Sequence, residues 1–286
     1  MTFEQLLKDK FDSLSPGQKK LAEYLIDHLE EAAFSKAAQI GRKVDVSETT
    51  VIRLSYALGF NGFSDMQEQI QRQLVKSNQQ SHVLPPLDEL DAINHAEHEK
   101  NAFVKVIENE ILLLRQLAEQ LNVDQMQKAV DRLIKADQIL IVGFRASYAA
   151  AYWFSHTLGM LREHVFLCHQ AEEFYEKVCN LTENSVVFVL SFPRYTKDSL
   201  QIANCAKKQG ITLISVTDRM LSPVGRISDL TLTTEENAES GSNSIHSVIS
   251  VLDMLIAGIQ QQDKERIQRR QQKLEELYSS YEVFIE

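Results

Sequence analysis

The stretch FSKAAQIGRKVDVSETTVIRLSYALGFNGF, residues 34–63, decides how this chain is read. Ser35 opens a helical pattern in which Ala38, Ile40 and Val44 are the core positions. Asp45, Val46 and Ser47 make a tight turn, and Ser47 is a good cap for a helix over residues 48–58. Val51, Leu54 and Leu58 fall on the inner side of that helix, while Glu48, Thr49, Thr50 and Arg53 face outward near its start. Gly59 and Gly62 punctuate the exit. Two short helices joined by such a turn have the spacing of a helix-turn-helix, whose second helix lies in the major groove of DNA.

Working outward, Ser15-Pro16 is a helix start, and Leu21, Leu25, Ile26 and Leu29 predict one amphipathic helix over residues 15–31. Ser64 with Gln67 predicts a capping box for a helix reaching about residue 74. The chain of 286 residues has a formal net charge of −10, which opposes nucleic-acid binding overall. The acid is unevenly spread. Residues 1–76 hold ten Lys and Arg against eleven Asp and Glu. Within residues 34–56, Lys36, Arg42, Lys43 and Arg53 outweigh Asp45 and Glu48, a local patch fit for phosphates. No apolar run approaches the roughly 20 residues a bilayer requires. The N-terminus lacks the apolar core of a signal peptide. Cys168, Cys179 and Cys205 lack metal-ligand spacing and read as buried free thiols in a reducing cytoplasm.

Residues 77–100 lose periodicity and contain Pro85-Pro86, so they read as a linker. His95 and His98 there read as solvated side chains rather than metal ligands. Residues 101–135 are helical, with Phe103, Val106, Ile107, Ile111, Leu114 and Leu117 on one side. Asn122-Val123-Asp124 divides that stretch, with Asp124 as the expected cap. From residue 138 strands and helices alternate. Strands are expected at 138–143, 165–168, 185–191, 212–218 and 230–234, and helices at 146–161, 172–179, 196–208 and 240–258. The series predicts a parallel sheet covered by helices. A charged helix over 262–281 would lie on this domain or across a dimer.

Open α/β sheets bind ligands outside the carboxyl ends of their strands. Two such ends carry polar residues. Gly143, Arg145 and Ser147 follow one strand, and Ser191, Arg194 and Thr196 follow another. Each group stands at a helix N-terminus, where free N–H groups and the helix dipole favour an anion. The arginines add forked donors suited to phosphate or carboxylate. His169, just past a third strand, is a further candidate.

On these residues the chain resembles RpiR-type transcriptional regulators. Residues 1–76 are similar to their helix-turn-helix domain, and residues 136–260 to the sugar isomerase (SIS) domain that follows it. The resemblance implies three domain segments: 1–76 for DNA binding, 77–100 as linker, and 101–286 for ligand binding and dimerisation. It implies an all-helical helix-turn-helix domain followed by a parallel-sheet α/β/α domain. Implied partners are a double-stranded DNA operator and a small anionic metabolite, a sugar phosphate or a carboxylate, bound by a homodimer or homotetramer. No membrane, metal, cofactor or catalytic residue is expected. SIS domains typically carry Gly-x-Gly-x-Ser after the first strand and Ser-x-Ser-Gly-x-Thr after the third. Gly143, Ser147, Ser191 and Thr196 match, but Arg145 and Arg194 replace glycines and Pro193 replaces a serine. Those replacements predict a changed ligand. An alternative is a sugar-phosphate isomerase with a helical extension, for which Glu236, Glu239 and His246 are candidate acids and bases.

Overall fold

The computed structural model describes residues 3–78, 102–234, 236–237, 242–243 and 245–285. The chain divides into two compact units, Met1–Asn101 and Ala102–Glu286. Most of the segment read as a linker, with Pro85, Pro86, His95 and His98, lies outside the described residues, as do Glu239 and the side chains of Phe103 and Glu236.

The first unit is helical: α1 (Phe3–Lys10), α2 (Pro16–Asp27), α3 (Leu29–Phe34), α4 (Ala37–Val44), α5 (Glu48–Leu58) and α6 (Phe63–Asn78). Phe3, Leu7, Leu21, Leu25, Ile40, Val51, Leu54, Met66 and Ile70 form its core. Each fully buried side chain of this size contributes about 1.5–3 kcal/mol. Sequence periodicity gave no sign of α1. The helix expected over 15–31 breaks at His28, whose φ of −135° and ψ of 46° are not helical, and it resumes as α3. The expected Ser64–Gln67 capping box is not what Gln67 does. Gln67 Nε2 donates to the Ala32 and Ser35 carbonyls, and Gln71 Nε2 donates to that of Ala33. These amides satisfy carbonyls at the end of α3 that have no helical partner. α4 begins at Ala37 rather than at Ser35.

The second unit starts with α7 (Ala102–Gln120) and α8 (Val123–Lys135). Asn122, not Asp124, is the cap, its side-chain oxygen accepting from Gln125 N–H at 3.0 Å. β1 (Ile139–Gly143), α9 (Ser147–Leu161), β2 (Val165–Cys168), α10 (Ala171–Val178), β3 (Val186–Leu190), α11 (Lys197–Lys208), β4 (Thr212–Thr217) and β5 (Leu230–Thr233) follow. A short hairpin, β6 (Glu236–Asn237) and β7 (Ser242–Asn243), precedes α12 (Ile245–Gln262), where the sequence led us to expect the helix to begin at residue 240. α13 (Lys264–Ser280) closes the chain.

The five main strands are parallel, in the order β2-β1-β3-β4-β5. β1 and β3 are buried at every position, as a sheet covered on both faces requires. Phe154, Leu158, Val251 and Leu255 cover one face, and Phe174, Ile202, Ala203 and Ala206 cover the other. α13 lies on its own unit. Arg270 donates to the Gly159 carbonyl at 3.3 Å, and Tyr278 hydroxyl lies 3.5 Å from Met160 Sδ. On α7 the inward residues are Leu113 and Leu117, whereas Val106, Ile107 and Ile111, expected to share the packed side, are exposed. Of the cysteines only Cys168 is buried, and burial pushes its thiol up to about 11.

Two polar clusters fix this scaffold. Arg162 is 2% exposed and donates to the Leu133 and Ala136 carbonyls, tying the end of α8 to the end of α9. Burial pulls its guanidinium down to about 10. At the amino ends of β1 and β3, Asp137 accepts from Ser185 and Thr182 hydroxyls, each at 2.6 Å. Burial raises the Asp137 carboxyl, but these hydroxyl donors outweigh it and hold the group below its ordinary value.

A carboxylate held low stabilises the fold above its unfolded pKa, and that contribution is lost as pH falls through the depressed folded value. Asp137→Asn should therefore cost about 1 kcal/mol at pH 7, with the difference from the parent shrinking in acid. Urea unfolding across pH checks this; a loss of equal size at every pH would contradict it.

Candidate functional site

In the first unit, α4 and α5 pack across the turn at residues 45–47 because two backbone features allow it. Asp45 takes a left-handed φ of 58° and ends α4, with Val46 N–H returning to the Gly41 carbonyl at 2.8 Å. A Cβ on Gly41 would stand 2.8 Å from the Val46 carbonyl oxygen, so only glycine admits so close a crossing. Ser47 Oγ accepts from Thr50 N–H at 3.2 Å and lies 2.9 Å from Thr50 Oγ1. Both hydroxyls thus serve the start of α5.

Glu48, Thr49 and Arg53 are exposed on α5, as are Lys36 and Arg42 on and before α4. Among the described residues, Lys36, Arg42 and Arg53 have no ion-pair partner. Lys43 differs: it pairs with Glu31, which also accepts from Tyr24 hydroxyl at 2.9 Å. The hydrogen bond between them raises the Lys43 ammonium and lowers the Glu31 carboxyl from their ordinary values. The sequence reading missed Tyr56, which is 58% exposed and shares the Thr49–Arg53 face at helical spacing. An aromatic three residues after Arg53 on a polar face was the available signal.

In the second unit, strand order decides which loops meet. β1 pairs with β3, Gly143 standing opposite Leu190. The chain leaves β1 for β2 on one side and leaves β3 for β4 on the other, so a crevice opens between the two departing connections. The loops at residues 143–147 and 191–196 flank that crevice. α9 begins at Ser147, and α11 begins after Thr196, so two helix N-termini stand at one sheet edge. A Cβ on Gly143 would lie 2.8 Å from both Ala151 Cβ and the Ser147 carbonyl oxygen, which explains the glycine at the strand end.

The polar groups here are in different states. Thr196 Oγ1 accepts from Ser199 N–H at 3.2 Å as the cap of α11. Ser191 is 3% exposed, and its Oγ has no hydrogen-bond partner among the described residues. Arg145 and Arg194 have φ of 56° and 66°, the left-handed region that glycine occupies without penalty. Both side chains are exposed, and neither has an ion-pair or hydrogen-bond partner among the described residues. His169, at the end of β2, has Nδ1 2.7 Å from Tyr148 hydroxyl, one residue past Ser147.

Two further residues were not singled out from sequence. Tyr195 hydroxyl donates to Asp218 at 2.7 Å, and Thr217 Oγ1 donates to the same carboxylate at 2.9 Å. Burial, then the Asp218 hydrogen bond, pushes the Tyr195 phenol well above its ordinary value. This pair ties the 191–196 loop to the end of β4. An aspartate closing the strand TLISVTD was the available clue. His246, named above as a candidate base, has Nδ1 3.3 Å from Glu110 on α7 and is 64% exposed.

Known proteins are similar to this chain in sequence and fold. A family model described as "Helix-turn-helix domain, rpiR family" matches residues 1–77, and one for the SIS domain matches residues 132–258. The chain is 24% identical over 252 residues to the HTH-type transcriptional regulator YbbH of Bacillus subtilis, covering 86% of both. It is 24% identical over 260 residues to the HTH-type transcriptional regulator HexR of Pseudomonas aeruginosa, covering 88% of this chain and 87% of that one. Among solved structures, the sugar isomerase domain of an RpiR transcription factor from Sphaerobacter thermophilus superimposes with a TM-score of 0.59 at 25% identity, over 61% of this chain and 98% of that one. The Vibrio vulnificus NanR protein complexed with ManNAc-6P shares the fold over 99% of both chains, with a TM-score of 0.59 at 16% identity. No helix among the described residues is long and apolar enough to cross a membrane. With an rpiR-type helix-turn-helix in its first unit and a SIS domain in its second, the chain belongs to the RpiR family of DNA-binding transcriptional regulators.

Proposed function

We propose that this regulator works in the cytoplasm as a homodimer or larger symmetric assembly, that it senses a small anionic metabolite, and that it carries out no turnover. The observation that carries the reading is the convergence of residues 143–147 and 191–196 at the β1/β3 crevice of a chain that also bears a helix-turn-helix. Two helix N-termini with serine and threonine side chains favour a phosphate or carboxylate. NanR, of the same fold, was solved with a sugar phosphate, so this plan accommodates such a ligand. A sensor needs only differential affinity for two arrangements of its DNA readers. The domain plan is 1–76 for DNA, 77–100 as linker and 101–286 for ligand and self-association.

In this reading α5 enters the major groove, with Ser47, Glu48, Thr49, Thr50 and Arg53 nearest the bases. Lys36, Arg42 and Lys43 hold phosphates. Lys43 is already matched by Glu31, so it contributes less than Arg42. Gly143, Ser147, Ser191 and Thr196 form the anion site, with Arg145, Arg194 and His169 around it. Val106, Ile107, Ile111 and Leu112 on α7 are exposed apolar side chains, and they supply the surface for a second copy.

Arg53→Ala should weaken binding to a genomic operator fragment about tenfold or more in gel shifts, and Arg42→Ala should cost more than Lys43→Ala. Equal affinity of Arg53→Ala and parent would remove Arg53 from the interface. In sedimentation, the Ile107→Glu, Ile111→Glu double variant should be monomeric where the parent is not. An unchanged assembly would place the contact elsewhere.

A further inference from the structure

The guanidinium groups of the two arginines at the crevice hold nothing together among the described residues. A non-glycine residue in the left-handed region costs about 1–2 kcal/mol. Arg145 and Arg194 both stand there, exposed, with no partner for either guanidinium among the described residues. Each backbone is therefore strained while its guanidinium bonds no described residue, which leaves both charged forks available to a ligand. Their placement is matched. Arg145 follows the end of β1 by two residues and Arg194 the end of β3 by four, and those strands are hydrogen-bonded neighbours.

The left-handed backbone also means that arginine has been fitted without abandoning the loop shape that glycine would take. The helix starts at Ser147 and Lys197 are intact. Ser191 supplies an independent sign of a ligand: it is only 3% exposed, and its hydroxyl has no partner among the described residues. Alternation along β3 places Leu190 on the α9 face, so Ser191 faces the side on which α11 begins. A buried hydroxyl of this kind costs free energy until something bonds it.

Resting on the anion-sensing reading above, we propose that the effector carries a carboxylate in addition to a phosphate, and that Arg145 and Arg194 clamp the carboxylate. The phosphate is met by the helix N-termini and the hydroxyls of Ser147 and Ser191. The planar guanidinium forks match a planar carboxylate in bidentate fashion. A neutral sugar phosphate would leave both arginines without a counter-charge. The effector class is therefore a phosphorylated sugar acid rather than the phosphate ester of a neutral sugar.

The test uses the full chain and two probes that differ at one end, 6-phosphogluconate and glucose 6-phosphate, with inorganic phosphate as a third. Binding is read by calorimetry and by the thermal shift of unfolding. Charged hydrogen bonds of this kind predict that 6-phosphogluconate binds roughly 10- to 100-fold more tightly than glucose 6-phosphate. In the Arg145→Gly, Arg194→Gly variant that preference should fall to near parity while glucose 6-phosphate still binds. Glycine accepts both backbone conformations, so the variant should unfold at a temperature no lower than the parent's. Equal or tighter binding of glucose 6-phosphate by the parent, or a preference that survives in the glycine variant, would overturn the carboxylate clamp and spare the anion site. No binding of any of the three at millimolar concentration would instead overturn the anion-sensing reading on which the inference rests.

Discussion

The parallel pairing of β1 with β3 is the constraint on which the second unit depends. Its register sets Gly143 against Leu190 and turns the two following connections away from each other. Without that pairing, the loops at residues 143–147 and 191–196 would not share an edge, and two helix N-termini would not face one crevice. Asp137, Ser185 and Thr182 hold the same two strands together at their amino ends. The Tyr195–Asp218 hydrogen bond fixes the β3 loop against β4 at the carboxyl ends. The strand pair whose loops carry the proposed anion site is thus tied at both ends, which is the rigid support a binding loop requires.

The first unit rests on a comparable close approach. Gly41 and the left-handed Asp45 let α5 cross α4 near enough for Ile40, Val44, Val51 and Leu54 to share one core. Ser47 and Thr50 then spend their hydroxyls on the start of α5. That leaves Glu48, Thr49, Arg53 and Tyr56 exposed on α5, and Arg42 exposed on α4. The division is physical: hydroxyls near a helix start serve the backbone first, and longer side chains one turn later remain available to a partner.

Much of this was legible in the residues. The β-branched runs ILIV and VVFVL could only be buried strands, and the turn DVS with a capping serine announced the helix-turn-helix. What the sequence hid was decided by tertiary context. His28 breaks a periodic helix because α3 must turn to meet α6, whose Gln67 and Gln71 side-chain amides donate to the loose carbonyls of α3. Val106, Ile107 and Ile111 carry helical periodicity that looks like a core face, yet α12 covers only the Leu113–Leu117 side. In the loops after β1 and β3, arginine in place of glycine was visible at positions 145 and 194, but the left-handed backbone there was not. Neither was the bond from Tyr195 to Asp218, because it joins residues 23 positions apart.

In the proposed function one chain couples DNA reading to an anion site. The most direct test selects genomic fragments bound by the purified full chain at near-physiological salt, with and without the phosphorylated ligands above. Such coupling predicts recovery of a recurring two-fold symmetric sequence, its half-sites about 34 Å or a multiple apart, with occupancy that changes when ligand is added. Recovery of no enriched sequence at any salt concentration tried, or of one whose occupancy no anionic ligand alters, would contradict it.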